Sequence, residues 1–125
     1  AMKDAEEIFI ASFANAGAVI EHFKNIRHHH IKGGKDVHVT LVAIGKEGVE
    51  LAAEDDLCAE YIRAHVMGEE LAYEKIRSKI LISPTAQRLR DRGQQDDLEF
   101  CLRSNMYDLL PRAYKEEGLC VVRDR

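Results

Sequence analysis

A group of carboxylates directly after a glycine turn is the part of this sequence best suited to chemistry. Gly45 and Gly48 follow a hydrophobic run, and Glu54 and Asp55 then open what the pattern predicts to be a helix. Oxygen-rich clusters suit Mg²⁺, which usually binds through one or two carboxylates together with substrate phosphate. Acidic residues also favour a first helical turn because they offset the helix dipole. Spacing alone therefore leaves a metal site and an ordinary helix start both open.

The composition is that of a globular chain and narrows the classes of function. The 125 residues are 46% hydrophobic and 32% charged, which predicts a single globular domain over 1–125 with a real core. The formal net charge of −4 argues against nucleic acid as a partner. No apolar run approaches the roughly 20 residues that span a bilayer, and no signal peptide is evident. Three cysteines without a CxxC pair fit a reducing compartment, so we expect a cytoplasmic protein without a membrane partner.

Hydrophobic periodicity predicts the order strand, helix, strand, helix at the start of the chain. Residues 7–13 are short, apolar and β-prone, and residues 37–44 give the strongest strand pattern, apolar nearly throughout. Residues 16–27 between them have helical spacing, with 28–35 as a polar connection. A helix over 53–67 follows the glycine turn. This order is typical of βαβ units, so the predicted fold class is α/β with a strand-helix-strand-helix core layered α/β/α.

The remainder is predicted to be a helical C-terminal region that ends in a terminal hairpin. Proline favours the first helical position and glycine the position after a helix, which gives start and stop signals for a helix from Ser83-Pro84 to Gly93. Neighbouring helices are predicted over 70–79 and 94–103. Two β-prone segments flank Glu116-Glu117-Gly118 and could pair as a hairpin.

Several further residues could contact a ligand, each with a simpler structural interpretation beside it. Ser12 and Asn15 stand at the end of the first predicted strand, the edge where open α/β sheets bind ligands, but they could equally be a turn residue and a helix N-cap. Arg88 and Arg92 are one helical turn apart and could clamp an anion, or form a solvated helix face. Cys58 lies among carboxylates, which disfavours a thiolate nucleophile.

Three motifs, in order along the chain, resemble the 2-phosphosulfolactate phosphatase family. The first is the stretch Ile-Ala-Ser-Phe-Ala-Asn-Ala at 10–16. The second is Gly45-x-x-Gly48 followed by Glu54-Asp55-x-Leu57-Cys58-Ala59. The third comprises Ser83-Pro84, Leu89, Gly93, Asp96-Asp97, Cys101, Tyr107-Asp108 and Pro111. Together the matches span 10–111 and correspond to the C-terminal half of the family.

The sequence departs from the family pattern at three places within this span, one of which is an extra residue between Gly48 and Glu54. Thr85-Ala86 stands where the family usually has His-Gly, and Ala43-Ile44-Gly45 stands where it usually has Cys-Ala-Gly. Nothing resembles the motifs of the family's N-terminal half. Two interpretations follow: a C-terminal domain of a longer phosphatase, or a relative that kept the fold and lost the chemistry.

The resemblance implies a Mg²⁺-dependent phosphatase that hydrolyses 2-phosphosulfolactate to sulfolactate and phosphate, in coenzyme M biosynthesis or sulfolactate formation. For that reaction we predict catalytic and metal-binding roles for Glu54 and Asp55. Phosphate or substrate contacts are predicted for Ser12, Asn15, Gly45, Gly48 and Arg88. The expected partner is a small anionic substrate, with a homo-oligomer left open. The alternative is a non-catalytic anion-binding or oligomerisation domain.

Overall fold

The computed structural model describes residues 4–33, 36–116 and 118–124 and has both helices and strands. A short strand β1 (Ile8–Phe9) and a 3₁₀ turn (Phe13–Asn15) lead into five helices, and a hairpin follows them. The helices are α1 (Ala16–Gly33), α2 (Ala53–Val66), α3 (Tyr73–Leu81), α4 (Pro84–Asp91) and α5 (Gln95–Cys101). The hairpin strands are β2 (Pro111–Glu116) and β3 (Leu119–Asp124). The predicted α/β class is confirmed.

The sheet is antiparallel and has the order β1-β2-β3. Strands β2 and β3 pair over their full length, from Pro111 opposite Asp124 to Glu116 opposite Leu119, and Gly118 turns the chain at a φ of +80°. Glycine suits this position because it adopts positive φ without a steric penalty. Strand β1 adds to the other edge of β2, where Phe9 lies opposite Arg112. The predicted terminal hairpin is therefore confirmed.

The core lies among the helices and is built from their apolar stripes. Val19 of α1, Ile62 of α2 and Ile76 of α3 are the largest fully buried side chains. The Phe13 ring packs against the Tyr73 ring, with centroids 5.5 Å apart, and thereby joins the 3₁₀ turn to α3. These contacts fix α2, whose first turn carries the acidic residues, relative to the rest of the helical layer.

Helix α4 begins where local sequence signals place it. The Ser83 hydroxyl accepts a hydrogen bond from Ala86 N–H at 3.2 Å, and Pro84 occupies the first helical position. A serine cap satisfies one of the N–H groups that a helix start leaves unpaired, and proline lacks such a group. The cap is buried, so the start of α4 is fixed close to the core.

The predicted strand over 37–44 does not form a ladder, and this prediction is wrong. Within the described part of the chain, residues 36–44 are in no strand, and the parallel βαβ arrangement is absent. Leu41 packs against the core, whereas Val42 and Ile44 are 52% and 68% exposed. The segment has the composition of a strand but lacks a neighbouring strand among the described residues, so its backbone has nothing to pair with.

Helix α1 is longer than predicted. It continues to Gly33, so His28 and His29 lie on the helix rather than in a polar loop. No proline or glycine interrupts residues 18–32, and histidine tolerates a helix, so the chain continues until glycine permits an end. Among the described residues, no helix combines the length and apolar character that crossing a bilayer requires.

Asn15 ties the start of the chain to the loop before the hairpin. Its side-chain oxygen accepts Ser12 N–H at 2.8 Å, and its amide nitrogen donates to the carbonyls of Ile10 and Leu109, both at 3.1 Å. Asn15 is only 6% exposed, so these backbone groups have little access to water as a substitute partner. Asn15 is therefore a structural clamp across 94 residues of sequence, and its role in ligand binding stays a prediction.

Replacing Asn15 with alanine should destabilise the chain strongly. Asn15→Ala leaves three backbone groups without partners, and we expect a loss of about 3 kcal/mol in the free energy of unfolding. Equilibrium urea unfolding measures it. Asn25→Ala is the matched control, because Asn25 is exposed on α1. Equal effects of the two substitutions would contradict the clamp.

Candidate active site

The glycine turn between residues 45 and 50 closes on itself through backbone hydrogen bonds. Lys46 N–H donates to the Glu50 carbonyl at 2.9 Å, and Glu50 N–H donates to the Lys46 carbonyl at 3.1 Å. Gly45, Glu47 and Gly48 all have positive φ, at +69°, +55° and +71°. The chain therefore reverses within a few residues and delivers Ala52 to the start of α2.

Asp55 attaches this turn to the helix that follows it. Gly45 N–H donates to Asp55 Oδ2 at 2.8 Å, whereas Ala52, the residue that precedes α2, offers no side-chain cap. Carboxylates near a helix N-terminus are favoured by the helix dipole, so Asp55 serves both the helix and the turn. One of its two oxygens is consequently engaged in structure.

Gly45 is the position in the turn that only glycine can fill. A Cβ atom built on Gly45 would lie 2.1 Å from the Glu50 carbonyl oxygen, a distance that no real contact permits. A Cβ atom on Gly48 would meet nothing within 4 Å, although its φ is also positive. The two glycines therefore have different roles: Gly45 allows a close approach of two backbones, and Gly48 only supplies the conformation.

A cavity of about 290 Å³ lies between the glycine turn, the start of α2 and the first turns of α4. Glu54 and Asp55 line it from α2, while Arg88 and Arg92 line it from α4 and its end. Thr85, Leu89 and residues of the turn, including Lys46 and Glu50, complete the lining. The cavity thus joins the second and third family motifs, which are about 30 residues apart in sequence.

The charged groups around this cavity are unequally paired. Lys46 and Glu50 lie 3.8 Å apart and largely offset one another. The Arg88 guanidinium donates to Thr85 Oγ1 at 3.2 Å, a neutral partner. Among the residues that the structure describes, no hydrogen bond or ion pair holds the Arg92 guanidinium. Both arginines therefore keep their charge and most of their donors for a ligand.

Glu54 carries a carboxylate oxygen that has no protein partner. Its Oε2 atom is buried and accepts no hydrogen bond within the described structure. A buried carboxylate oxygen without a partner is energetically costly, so it marks a place where a cation, a water molecule or a proton completes the site. This orphaned oxygen is the strongest local sign of a ligand near the start of α2.

The carboxylates fit Mg²⁺ only as a partial ligand set. Glu54 and Asp55 each have an oxygen to offer, and one or two carboxylates with water and phosphate is the usual arrangement for this ion. In the described ranges, no three His, Cys, Asp or Glu residues group together as a metal site. The residues present therefore suit an open magnesium site, not a closed structural one.

The backbone of the turn offers few donors to an anion. The N–H groups of Gly45, Lys46 and Glu50 are already donated within the turn or to Asp55. Val49 N–H is donated to the Lys46 carbonyl at 3.1 Å. An anion at this cavity would therefore meet more available donors on the arginine side chains than on these backbone groups.

The structure brings some of the predicted site residues together and separates others. Gly45, Glu54, Asp55 and Arg88 line the main cavity, whereas Gly48 lines a smaller one of about 120 Å³ beside it. Neither of these cavities is lined by Ser12 or Asn15.

Three residues that line the main cavity were not among the predicted site residues: Lys46, Glu50 and Thr85. Two features of the sequence could have indicated them. Lys46 and Glu50 flank the glycine turn at close spacing, and Thr85 lies in the first turn of α4, two residues after the Ser83 cap.

Comparison with known proteins places this cavity in a family context. A family model described as 2-phosphosulpholactate phosphatase matches residues 1–116. The chain belongs to the 2-phosphosulfolactate phosphatase family. A relative from Pseudothermotoga lettingae, described as "Probable 2-phosphosulfolactate phosphatase", is 31% identical over 124 residues, which cover 88% of this chain. The chain spans about half the length of that relative, since the match covers 50% of it, in its C-terminal half.

Cys58 lies one helical turn after Glu54 and is not suited to nucleophilic chemistry. Burial, and secondarily the neighbouring Asp55 carboxylate, raise the pKa of the Cys58 thiol to about 12. The thiol is therefore neutral at physiological pH, and a neutral thiol is a poor nucleophile. This agrees with the sequence-based expectation that no thiolate serves here.

Substituting the two glycines should separate their roles. Gly48→Ala should cost about 1 kcal/mol from its positive φ alone. Gly45→Ala adds a backbone clash and should cost about 3 kcal/mol. Urea unfolding of both variants checks this difference. Equal losses would show that the approach of Gly45 to Glu50 does not hold the turn.

Thiol titration should distinguish Cys58 from the other cysteines. Cys101 and Cys120 are exposed, so we expect them to react with an aromatic disulfide reagent at pH 8 while Cys58 reacts only after unfolding. Because its folded pKa is raised, Cys58 contributes stability below the pKa of an unfolded thiol, and this is lost as the pH rises from about 9 toward about 12. Rapid modification of all three thiols in the folded chain would contradict the prediction.

Proposed function

We propose that this chain forms one wall of the active site of a Mg²⁺-dependent phosphatase that hydrolyses 2-phosphosulfolactate to sulfolactate and phosphate. The observation that carries the proposal is a single cavity in which the carboxylates of Glu54 and Asp55 and the guanidinium groups of Arg88 and Arg92 are among the lining groups. Family membership and the printed name of the Pseudothermotoga lettingae relative support this substrate. The reaction would be a step of coenzyme M biosynthesis or of a route that forms sulfolactate.

The arginines match the charge of the proposed substrate. 2-Phosphosulfolactate carries a phosphate, a sulfonate and a carboxylate, and guanidinium groups bind such planar or tetrahedral oxyanions through paired N–H donors. Arg88 lies on α4 and Arg92 directly follows it, and both line the same cavity. Thr85 holds the Arg88 guanidinium at 3.2 Å and thereby limits its orientations.

The carboxylates would repel this substrate without a cation. Glu54 and Asp55 face the same cavity as the arginines, so an anionic phosphate would meet both signs of charge there. Mg²⁺ held by these carboxylates would supply Lewis-acid stabilisation of phosphoryl oxygens. The chain's own contribution is to fix Asp55 through Gly45 N–H and to leave Glu54 Oε2 without a competing protein donor.

A second candidate is a half-domain that binds the anion but performs no chemistry. Two observations favour it: one Asp55 oxygen is already used by the turn, and Thr85-Ala86 occupies the position of the usual His-Gly pair. The arginine pair would still bind an anionic ligand in that case. If the chain belongs to a phosphatase, replacing Glu54 should lower the rate of turnover. If it only binds the anion, replacing Glu54 should change only the local charge.

The role of Glu54 is testable in the chain fused to the N-terminal half of the Pseudothermotoga lettingae relative. The fusion with Mg²⁺ should release phosphate from 2-phosphosulfolactate, and Glu54→Gln should lower kcat at least about 100-fold because it removes a group that acts on transition-state charge. Glu60→Gln is the matched control, since Glu60 is exposed on the same helix. Phosphate release measured colorimetrically gives kcat.

Calorimetry of the isolated chain separates the two candidates further. Mg²⁺ binding that Glu54→Gln abolishes and Glu60→Gln preserves would support the metal role. A folded fusion that releases no phosphate above background, with intact anion binding, would refute the phosphatase and support the non-catalytic half-domain.

A further inference from the structure

Residues 36–44 lie in no helix or strand, and their backbone is unpaired within the described ranges. None of these nine residues has a backbone hydrogen bond to any other residue in the described ranges, on either edge of the segment. The segment is nevertheless rich in β-branched residues, including Val37, Val39 and Val42. Such a composition favours a strand inside a sheet, where both edges are paired.

Burial alternates as in a strand over residues 41–44, whereas residues 36–40 are all exposed. Leu41 and Ala43 face the body of the protein and are partly buried, and Leu41 packs against the core. Val42 and Ile44 point the other way and are 52% and 68% exposed. A strand that is apolar on both faces is typical of a sheet covered on both sides. Here Val42 and Ile44 are exposed on one side, and Val37 and Val39 are exposed at the start of the segment.

The uncovered side continues into the glycine turn and reaches the candidate active site. Val49 and Leu51 are 88% and 91% exposed, and both line the small cavity together with Ile44. Leu51 also lines the main cavity. We call Val42, Ile44, Val49 and Leu51 the apolar rim. An exposed apolar patch beside a polar cavity marks a surface that another layer of protein covers.

We propose that residues 37–44 are an internal strand of a sheet completed by the N-terminal half of a longer polypeptide, which also covers the apolar rim. The Pseudothermotoga lettingae relative is about twice as long as the matched region, so a polypeptide half of suitable size exists in the family. Its strands would pair with the open edges of 37–44, and its apolar layer would pack on Val42 and Ile44.

A second copy of this chain fits these observations less well. Two copies related by a two-fold axis pair one edge of each strand with the same edge of the other. The second edge of 37–44 would stay open in that dimer, whereas a separate half can supply strands to both edges. The inference rests on the unpaired backbone and on the length of the relative, and it does not require phosphatase chemistry.

Hydrogen–deuterium exchange tests the proposal directly. In the isolated chain we expect amides 37–44 to exchange at nearly the rate of an unstructured peptide. In the fusion to the N-terminal half of the relative, we expect their exchange to slow by roughly 100-fold or more, as for amides in a paired internal strand. Unchanged exchange in a fusion that unfolds cooperatively would overturn the proposal.

A pair of matched variants tests the apolar rim. Val42→Lys in the fusion should restore fast exchange of 37–44, whereas Val122→Lys should not. Val122 is 49% exposed, close to the value for Val42, but it lies on the terminal hairpin. Equal behaviour of the two variants would overturn the role of the rim.

Two further measurements keep the outcome decisive. If light scattering shows the isolated chain as a dimer with protected amides 37–44, the partner is a second copy and the proposal fails. If the fusion does not fold, exchange in the full-length relative decides, because its segment aligned with 37–44 must be protected. Protection without phosphate release would leave this proposal standing and refute only the proposed phosphatase.

Discussion

One hydrogen bond, from Gly45 N–H to the Asp55 carboxylate, sets the geometry of the candidate active site. It joins a turn that has almost no side-chain contacts of its own to a helix that the core holds firmly through Ile62. Because the turn is tied to α2 at this point, its residues form one side of the cavity that α4 closes from the other. The same carboxylate therefore anchors the turn and belongs to the proposed metal-binding group.

The predictable parts of the structure were those set by neighbours in sequence. The cap at Ser83 and Pro84 predicted the start of α4, and the glycine between two β-prone segments predicted the hairpin. The α/β class was predicted from a strand-helix-strand-helix order, and helices and strands are both present although the predicted strand over 37–44 is not. The meeting of Glu54 with Arg88 in one cavity could not be derived from spacing, because it depends on how α2 and α4 pack through α3. Family resemblance, not periodicity, had put those motifs side by side.

The errors came from partners that are distant in sequence. Residues 37–44 were predicted as a strand because composition reports how well a segment suits a sheet, not whether a neighbouring strand is present. Asn15 was interpreted from its neighbours as a helix cap. Its amide nitrogen also donates to the Leu109 carbonyl, which is 94 residues away in sequence. Local signals at Asn15 could not reveal that contact. Long-range pairing is the information that a single sequence carries least directly.

The unpaired segment 37–44 also has a consequence for biosynthesis. An extended, β-branched stretch with open edges is a template for pairing between chains, so it promotes aggregation whenever it is left uncovered. In a polypeptide arranged like the Pseudothermotoga lettingae relative, the N-terminal half leaves the ribosome first. A partner for the segment would then be in place before the segment itself emerges. The order of the two halves along the chain would thus protect against misassembly as well as complete the fold.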